Sequence, residues 1–102
     1  MGEPRPVLSA RADADLNAIT AFIAERDGFL RATTAIERIR KTMHNLAFMP
    51  GIGRRRDDLG EGMRAFPVSP WVIYYVPLPA DDGIRALRIV DSRRDVASIF
   101  RR

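Results

Sequence analysis

The chain of 102 residues contains no cysteine, which excludes a disulfide framework and a zinc site with thiolate ligands. It has one histidine, and its acidic residues are scattered without the spacing of a metal site. We therefore expect neither a metal nor a cofactor. No apolar run is long enough to span a bilayer, and the opening "MGEPRPVLSARAD" lacks the apolar stretch of a secretory signal. These absences favour a cytoplasmic protein without a membrane partner.

Positive charge is present in excess. There are 17 lysine and arginine residues against 13 aspartate and glutamate residues, for a formal net charge of +4. This balance favours a polyanionic partner such as RNA, DNA, an acidic membrane or an acidic protein, although a solubilising coat explains it equally well. Because 46% of the residues are apolar, we expect a single folded domain over residues 1–102.

Two long helices are predicted in the first half of the chain, after a short strand at "PVLS". Ser9 suits the N-cap of the first helix, because its hydroxyl can accept an unpaired backbone N–H. An apolar stripe then follows at helical spacing: Ala12, Leu16, Ile19 and Ile23. Gly28 ends or bends this helix, and a second helix runs from about Phe29 to Phe48, before Pro50. Together the two helices should form an antiparallel hairpin.

Three strands are predicted in the second half, after the glycine-rich charged loop "GIGRRRDDLGEG". They are "MRAFPV", "WVIYYV" and "IRALRIVD", and the second is β-branched and aromatic enough to be a central strand covered on both faces. Pro67 should lie at a bulge or an unpaired edge position, because it cannot donate to a ladder. The order β-α-α-β-β-β predicts an α+β fold: a helical hairpin on a curved, mainly antiparallel sheet, with a short C-terminal helix.

Three stretches together resemble the ParE/RelE superfamily of toxins from type II toxin–antitoxin systems. They are "LSARADADLNAITAFIAERDG", "MPGIGRRRDDLGEGMRAFPVSPWVIYY" and "RALRIVDSRRDVASIF". The most specific parts are "PGIGR" with "DLGEGMR", and the final "RIVDSRRD". The resemblance covers residues 7–100, and the fold that it implies has the element order predicted above.

The superfamily has two functional branches, and the resemblance is closer to ParE. RelE-like members are ribosome-dependent endoribonucleases that use lysines, arginines and a C-terminal tyrosine, whereas ParE-like members poison DNA gyrase by binding. Arg64 and Arg94 match two of the RelE cations, but Val72 and Phe100 stand where an arginine and the tyrosine would be. Arginine, with a pKa above about 12, is a poor base. The resemblance to the ParE branch implies a gyrase inhibitor, and we expect no catalytic residues; the alternatives are a RelE-like mRNA endoribonuclease and an inactive module.

The candidates for binding the target or an anion are Arg64, Arg94 and Asp95. Arg94 and Asp95 match a pair typical of the ParE branch, but they could equally form a structural pair between the sheet and the last helix. Arg64 could instead be a solvated strand residue, or it could pair with the loop at residues 57–58. The arginine run at residues 54–56 is interpreted as a solvated loop.

The resemblance also implies a cognate antitoxin, either ParD-like or another short DNA-binding protein with an acidic tail, in a heteromeric complex. A basic toxin with a helical hairpin and an open sheet edge can accept an amphipathic helix in a groove and an added strand. The candidates for binding the antitoxin are Phe22, Phe29, Ile23 and Trp71. The alternative for Trp71 is simple packing within the sheet. No small-molecule substrate is expected.

Overall fold

In the computed structural model, which describes residues 2–101, two helices pack on one face of a five-stranded sheet. The elements are β1 (Arg5–Leu8), α1 (Ala10–Asp27), α2 (Phe29–Phe48), β2 (Arg54–Arg55), β3 (Arg64–Val68), β4 (Trp71–Pro77), β5 (Gly83–Asp91) and α3 (Val96–Phe100). The sheet order is β1-β5-β4-β3-β2, with β1 parallel to β5 and the other pairs antiparallel. The predicted α+β class, the mainly antiparallel sheet and the short C-terminal helix are confirmed.

The helical hairpin begins and turns at the predicted residues. The Ser9 hydroxyl oxygen accepts the Ala12 N–H at 3.0 Å and donates its own hydrogen to the Leu87 carbonyl at 2.9 Å. This one side chain therefore caps α1 and fixes its start to β5. Gly28 separates the helices with φ of 93°, and its N–H donates to the Ala24 carbonyl. Glycine suits this position because it has no Cβ to strain a positive φ.

The sheet is covered on both faces, as predicted for its central strand β4. On the helical face, Ile73 and Tyr75 of β4 are buried with residues of both long helices, among them Leu16, Ile39, Met43 and Leu46. On the opposite face, Tyr74 of β4 lies in a smaller cluster that α3 covers. Alternate residues of β4 thus contribute to different apolar layers, because successive side chains of a strand point to opposite faces.

The arginine run departs from the predicted loop. Arg54 and Arg55 form β2, pairing with Ala65 and Arg64 of β3. Two residues are too few to show the alternation that identifies a strand in a sequence. Pro67 lies opposite Val72 of β4 and beyond the end of β2, so the predicted unpaired edge position is confirmed. Among residues 2–101, the helices are all too short or too polar to cross a membrane.

Candidate functional site

A groove of about 490 Å³ lies between the helical hairpin and the start of β4. It brings together three of the four residues predicted to bind an antitoxin: Phe22, Ile23 and Trp71. Phe22 and Ile23 come from the second half of α1, and Trp71 is the first residue of β4. The floor of the groove is mostly apolar, since Ala18, Ile19 and Ala35 also line it. A surface of this kind suits the apolar face of a helix.

Phe22 presents its ring at the groove instead of burying it in the core. Its side chain is 59% exposed, and the Arg26 guanidinium carbon lies 5.2 Å from the ring centroid. A cation at this distance from an aromatic ring is attracted to it and helps to hold its orientation. Trp71 differs, because it is half-buried and packs against the helical-face core. Trp71 therefore contributes both to the groove and to sheet packing.

Phe29, the fourth predicted residue, does not line the groove. It lies at the first position of α2, next to the hairpin turn, and is 77% exposed. Leu30 beside it is 79% exposed, and sequence reasoning missed it. Its position outside the buried face of α2, to which Ala32, Ile39 and Met43 belong, is the signal that could have identified it. The hairpin turn therefore carries exposed apolar surface in addition to the groove.

The charged rim of the groove is positive overall. Arg93 donates to both Asp91 carboxylate oxygens at 2.9 Å, and its guanidinium and backbone N–H lower the pKa of Asp91 to about 2. Arg26 forms a longer ion pair with Asp27, at 3.9 Å. Arg31 also lines the rim and forms no ion pair with any residue that the structure describes. The rim thus favours an acidic partner.

Arg64 holds the backbone of the "PGIG" segment. Its guanidinium donates to the Gly53 carbonyl at 2.7 Å and to the Gly51 carbonyl at 3.2 Å. The ion pairs of Asp57 and Asp58 are with Arg55 and Arg56, although the Arg64 charge contributes to the lowered pKa of Asp57. A structural role for Arg64 is therefore visible, while contact with a target remains a prediction.

Tyr75 fixes the same segment from β4. Its hydroxyl donates to the Pro50 carbonyl at 2.7 Å and accepts the Gly53 N–H at 3.0 Å. Burial raises the pKa of Tyr75, against the opposing effects of the Gly53 N–H and the Arg64 charge. A side chain at Gly53 would collide with the Tyr75 hydroxyl. The second glycine of the "PGIG" segment is thus explained by a backbone that passes close to a buried phenol.

Arg94 and Asp95 lie in the turn between β5 and α3, without a bond between their side chains. The Asp95 carboxylate instead accepts the Ser98 hydroxyl at 2.7 Å, and this contact lowers the pKa of Asp95. Asp95 thus has a structural contact with α3, whereas no such contact is seen for the Arg94 side chain among residues 2–101. Arg94 is exposed, so its side chain is accessible to a target.

The sheet register separates the two predicted cations. Arg64 lies opposite Tyr75, whereas Asp91, three residues before Arg94, lies opposite Trp71. Four residues of strand span roughly 13 Å. Arg64 therefore lies well along the sheet from the strand end that leads to Arg94. Each remains a separate candidate.

The two positions that differ from RelE-like enzymes serve packing. Val72 packs on the sheet face that carries Tyr74, and the Phe100 ring lies edge-on to the Tyr74 ring with centroids 5.5 Å apart. Within residues 2–101, the histidine, aspartate and glutamate side chains form no cluster that could hold a metal. The described residues therefore provide an apolar groove and exposed arginines, both of which are suited to binding another molecule.

Comparisons with known proteins agree with this arrangement. Residues 7–96 match the family model described as the ParE toxin of the type II toxin–antitoxin system parDE. Toxin ParE3 of Caulobacter vibrioides is 33% identical over 94 residues, which cover 92% of each chain. A solved chain of the chromosomal ParDE system from P. aeruginosa has a TM-score of 0.72 at 22% identity, covering 86% of this chain and 95% of that one. The chain therefore belongs to the ParE toxin family of type II toxin–antitoxin systems.

Proposed function

We propose that this chain is a growth-inhibiting toxin that a cognate antitoxin neutralises by placing an acidic amphipathic helix in the groove. The observation that carries the proposal is the pairing of apolar Phe22, Ile23 and Trp71 with a positive rim. A buried aromatic anchor within a polar rim is the usual anatomy of a protein interface. Opposite charges on toxin and antitoxin would accelerate their association.

We further propose that the toxin acts in the cytoplasm by binding DNA gyrase, without catalysing a reaction. Membership of the ParE family supports this branch. The chemistry of the chain supports it as well: Val72 and Phe100 are packing residues, and Arg64 is engaged with backbone carbonyls. General acid–base cleavage of RNA needs groups that exchange protons near neutral pH, and arginine does not.

The antitoxin site is tested by changing Phe22. The cognate antitoxin is titrated into the toxin by calorimetry, and Phe22→Ser should weaken binding at least about tenfold, or 1.4 kcal/mol, because the exposed ring is lost from the interface. Phe48→Ser is the matched control, since Phe48 is 47% exposed and does not line the groove. Equal weakening by the two variants would contradict the proposed site.

The target is tested with purified proteins. Gyrase, supercoiled plasmid and the toxin are incubated together, and the proposal expects cleaved DNA to accumulate and the antitoxin to suppress it. The same toxin preparation is added to translating ribosomes, and the mRNA ends are mapped. Codon-linked cuts in the mRNA, with no effect on gyrase, would replace the proposed activity with that of a ribosome-dependent endoribonuclease.

A further inference from the structure

The two long helices carry net charges of opposite sign. Helix α1 has two cations, Arg11 and Arg26, against four acids, Asp13, Asp15, Glu25 and Asp27. Helix α2 has one acid, Glu37, against four cations, Arg31, Arg38, Arg40 and Lys41. A surface that serves only solubility carries both signs interspersed. The separation of charge between two packed helices therefore indicates a further role for the basic helix.

The charges of α2 do not serve the stability of the helix. The helix dipole favours acids in the first turn and cations in the last turn. Helix α2 has no acid in its first turn and no cation in its last turn. Arg31 instead is the third residue of α2, where the dipole disfavours positive charge. The positions of these cations are thus not explained by helix formation.

Five exposed polar residues lie on one face of α2, which we call the cationic face: Arg31, Thr34, Arg38, Lys41 and Asn45. They are three or four residues apart in turn, so their side chains follow one side of the helix over roughly 21 Å. Arg38 donates to the Ser69 carbonyl at 2.9 Å, a neutral partner that orients the guanidinium without cancelling its charge. Within residues 2–101, no carboxylate forms an ion pair with the three cations of this face.

We infer that the cationic face of α2 binds the phosphate backbone of duplex DNA. The face has no large apolar residue, so it lacks the anchor that a protein partner would bury. It has no aromatic ring on which the bases of a single strand could stack. Arginine, lysine and asparagine are side chains that contact phosphate oxygens, and a duplex carries one negative charge per about 1.7 Å of its axis. The inference does not depend on the proposed antitoxin or on gyrase.

DNA binding is tested with the toxin alone. The toxin is titrated into a fluorescein-labelled duplex of mixed sequence, and fluorescence anisotropy is measured at several salt concentrations. Three phosphate contacts predict that the logarithm of the binding constant falls with the logarithm of salt with a slope of about −2.7. The double change Arg38→Gln and Lys41→Gln should reduce the slope to about −0.9 and weaken binding at low salt at least about tenfold. Arg31 stays unchanged, because it also lines the groove.

The matched control is the double change Arg11→Gln and Arg85→Gln, which alters the net charge equally. Both residues are exposed, one in the first turn of α1 and the other on β5, so this variant should keep the slope of the wild type. Circular dichroism verifies that each variant folds. Equal losses in the two double variants would show that net charge alone attracts DNA. That result would overturn the inference, as would a wild-type toxin that binds no duplex or that prefers a single strand or an RNA duplex.

The position of the DNA is tested by NMR with ¹⁵N-labelled toxin and the same duplex. We expect the largest shifts of amide signals within residues 31–45, with those of Thr34 and Asn45 among them because both residues lie between the cations or beside them on the same face. Amide shifts confined to β4 and β5 would place the DNA on the sheet and overturn the assignment to α2.

Discussion

At the scale of single residues, the Tyr75 hydroxyl joins the sheet to the segment after α2. Tyr75→Phe removes the bond to the Pro50 carbonyl and leaves the buried Gly53 N–H without its acceptor. The loss should cost about 1–3 kcal/mol of unfolding free energy, measured by urea denaturation. Tyr74→Phe is the matched control, because the Tyr74 hydroxyl lies beside the Arg56 side chain and holds neither Pro50 nor Gly53. If the two variants lose the same stability, this role of the Tyr75 hydroxyl is wrong.

The Asp91 carboxylate should titrate unusually low because of Arg93. Its folded pKa of about 2 lies below the ordinary value of 3.8. A lowered folded pKa means that the carboxylate stabilises the folded chain above about pH 4, and that this contribution disappears as the pH falls through about 2. Carboxyl ¹³C shifts followed by NMR measure the titration. Arg93→Gln should return the pKa toward 3.8, and an unchanged pKa in that variant would exclude Arg93 as the cause.

Residue roles were only partly predictable from the sequence. The sequence does not indicate the contact between Asp15 and Arg88, because the two residues are 73 positions apart. Arg64 was recognised as important, but its carbonyl partners depend on how the chain passes Tyr75. Local patterns show which residue types suit a position, whereas long-range partners are fixed only when elements pack. The roles that the sequence missed are therefore the long-range ones.

At the scale of secondary-structure elements, one partly buried ion pair fixes α1 to β5. Asp15 accepts the Arg88 guanidinium at 2.8 and 3.0 Å and the Ile89 N–H at 2.8 Å, and both charged side chains are less than one-fifth exposed. The Asp15 contact raises the pKa of Arg88, so Arg88 stays charged. The Asp15–Arg88 pair thus balances both charges and gives the Ile89 N–H an acceptor. It also links the helical layer to the sheet.

Removing the Asp15 carboxylate should therefore lower the free energy of unfolding. Asp15→Ala leaves Arg88 partly buried without its partner, and we expect a loss of about 3–5 kcal/mol in urea denaturation. Arg55→Ala is the control, because Arg55 pairs with Asp57 at the surface and its side chain is 71% exposed; it should leave stability nearly unchanged. Similar effects of the two changes would show that burial does not govern the strength of these pairs.

The elements themselves were predicted well where they are long. Both helices carry an apolar stripe at helical spacing over many residues, and β4 and β5 carry β-branched runs, so their hydrophobic patterns identify them. The strand that the sequence did not predict is short: β2 has two residues, and its pairing depends on the backbone of β3. A hydrophobic pattern cannot indicate a strand that forms only because a neighbouring strand supplies its hydrogen-bond partners.

At the scale of the whole molecule, the sheet separates a face that carries the groove from a face that α3 covers. The helical face carries the groove and the positive rim, and the other face is covered by α3 through Phe100 and its neighbours. Of the four residues predicted to bind the antitoxin, three line the groove and Phe29 does not. The sequence could suggest that these apolar side chains are exposed. Which of them lie side by side depends on where the helical hairpin crosses the start of β4.

The positive rim leads to a prediction about association kinetics. Arg31→Glu reverses the charge of a groove residue that pairs with no described residue, so the association rate with the acidic antitoxin should fall roughly threefold to tenfold at low salt. The difference should shrink as ionic strength rises, because exposed charges are screened beyond about 10 Å at 0.1 M. Stopped-flow fluorescence of Trp71, which lines the groove, measures the rate.

The matched control for Arg31 is Arg54→Glu, which makes the same change of net charge at an exposed residue of β2, outside the groove lining. If steering depends on the position of the charge, Arg54→Glu should slow association clearly less than Arg31→Glu at every salt concentration. Equal rates for the two variants would mean that the net charge of the molecule, and not the groove rim, guides the antitoxin. The comparison thus separates a local docking surface from the general basic character of the chain.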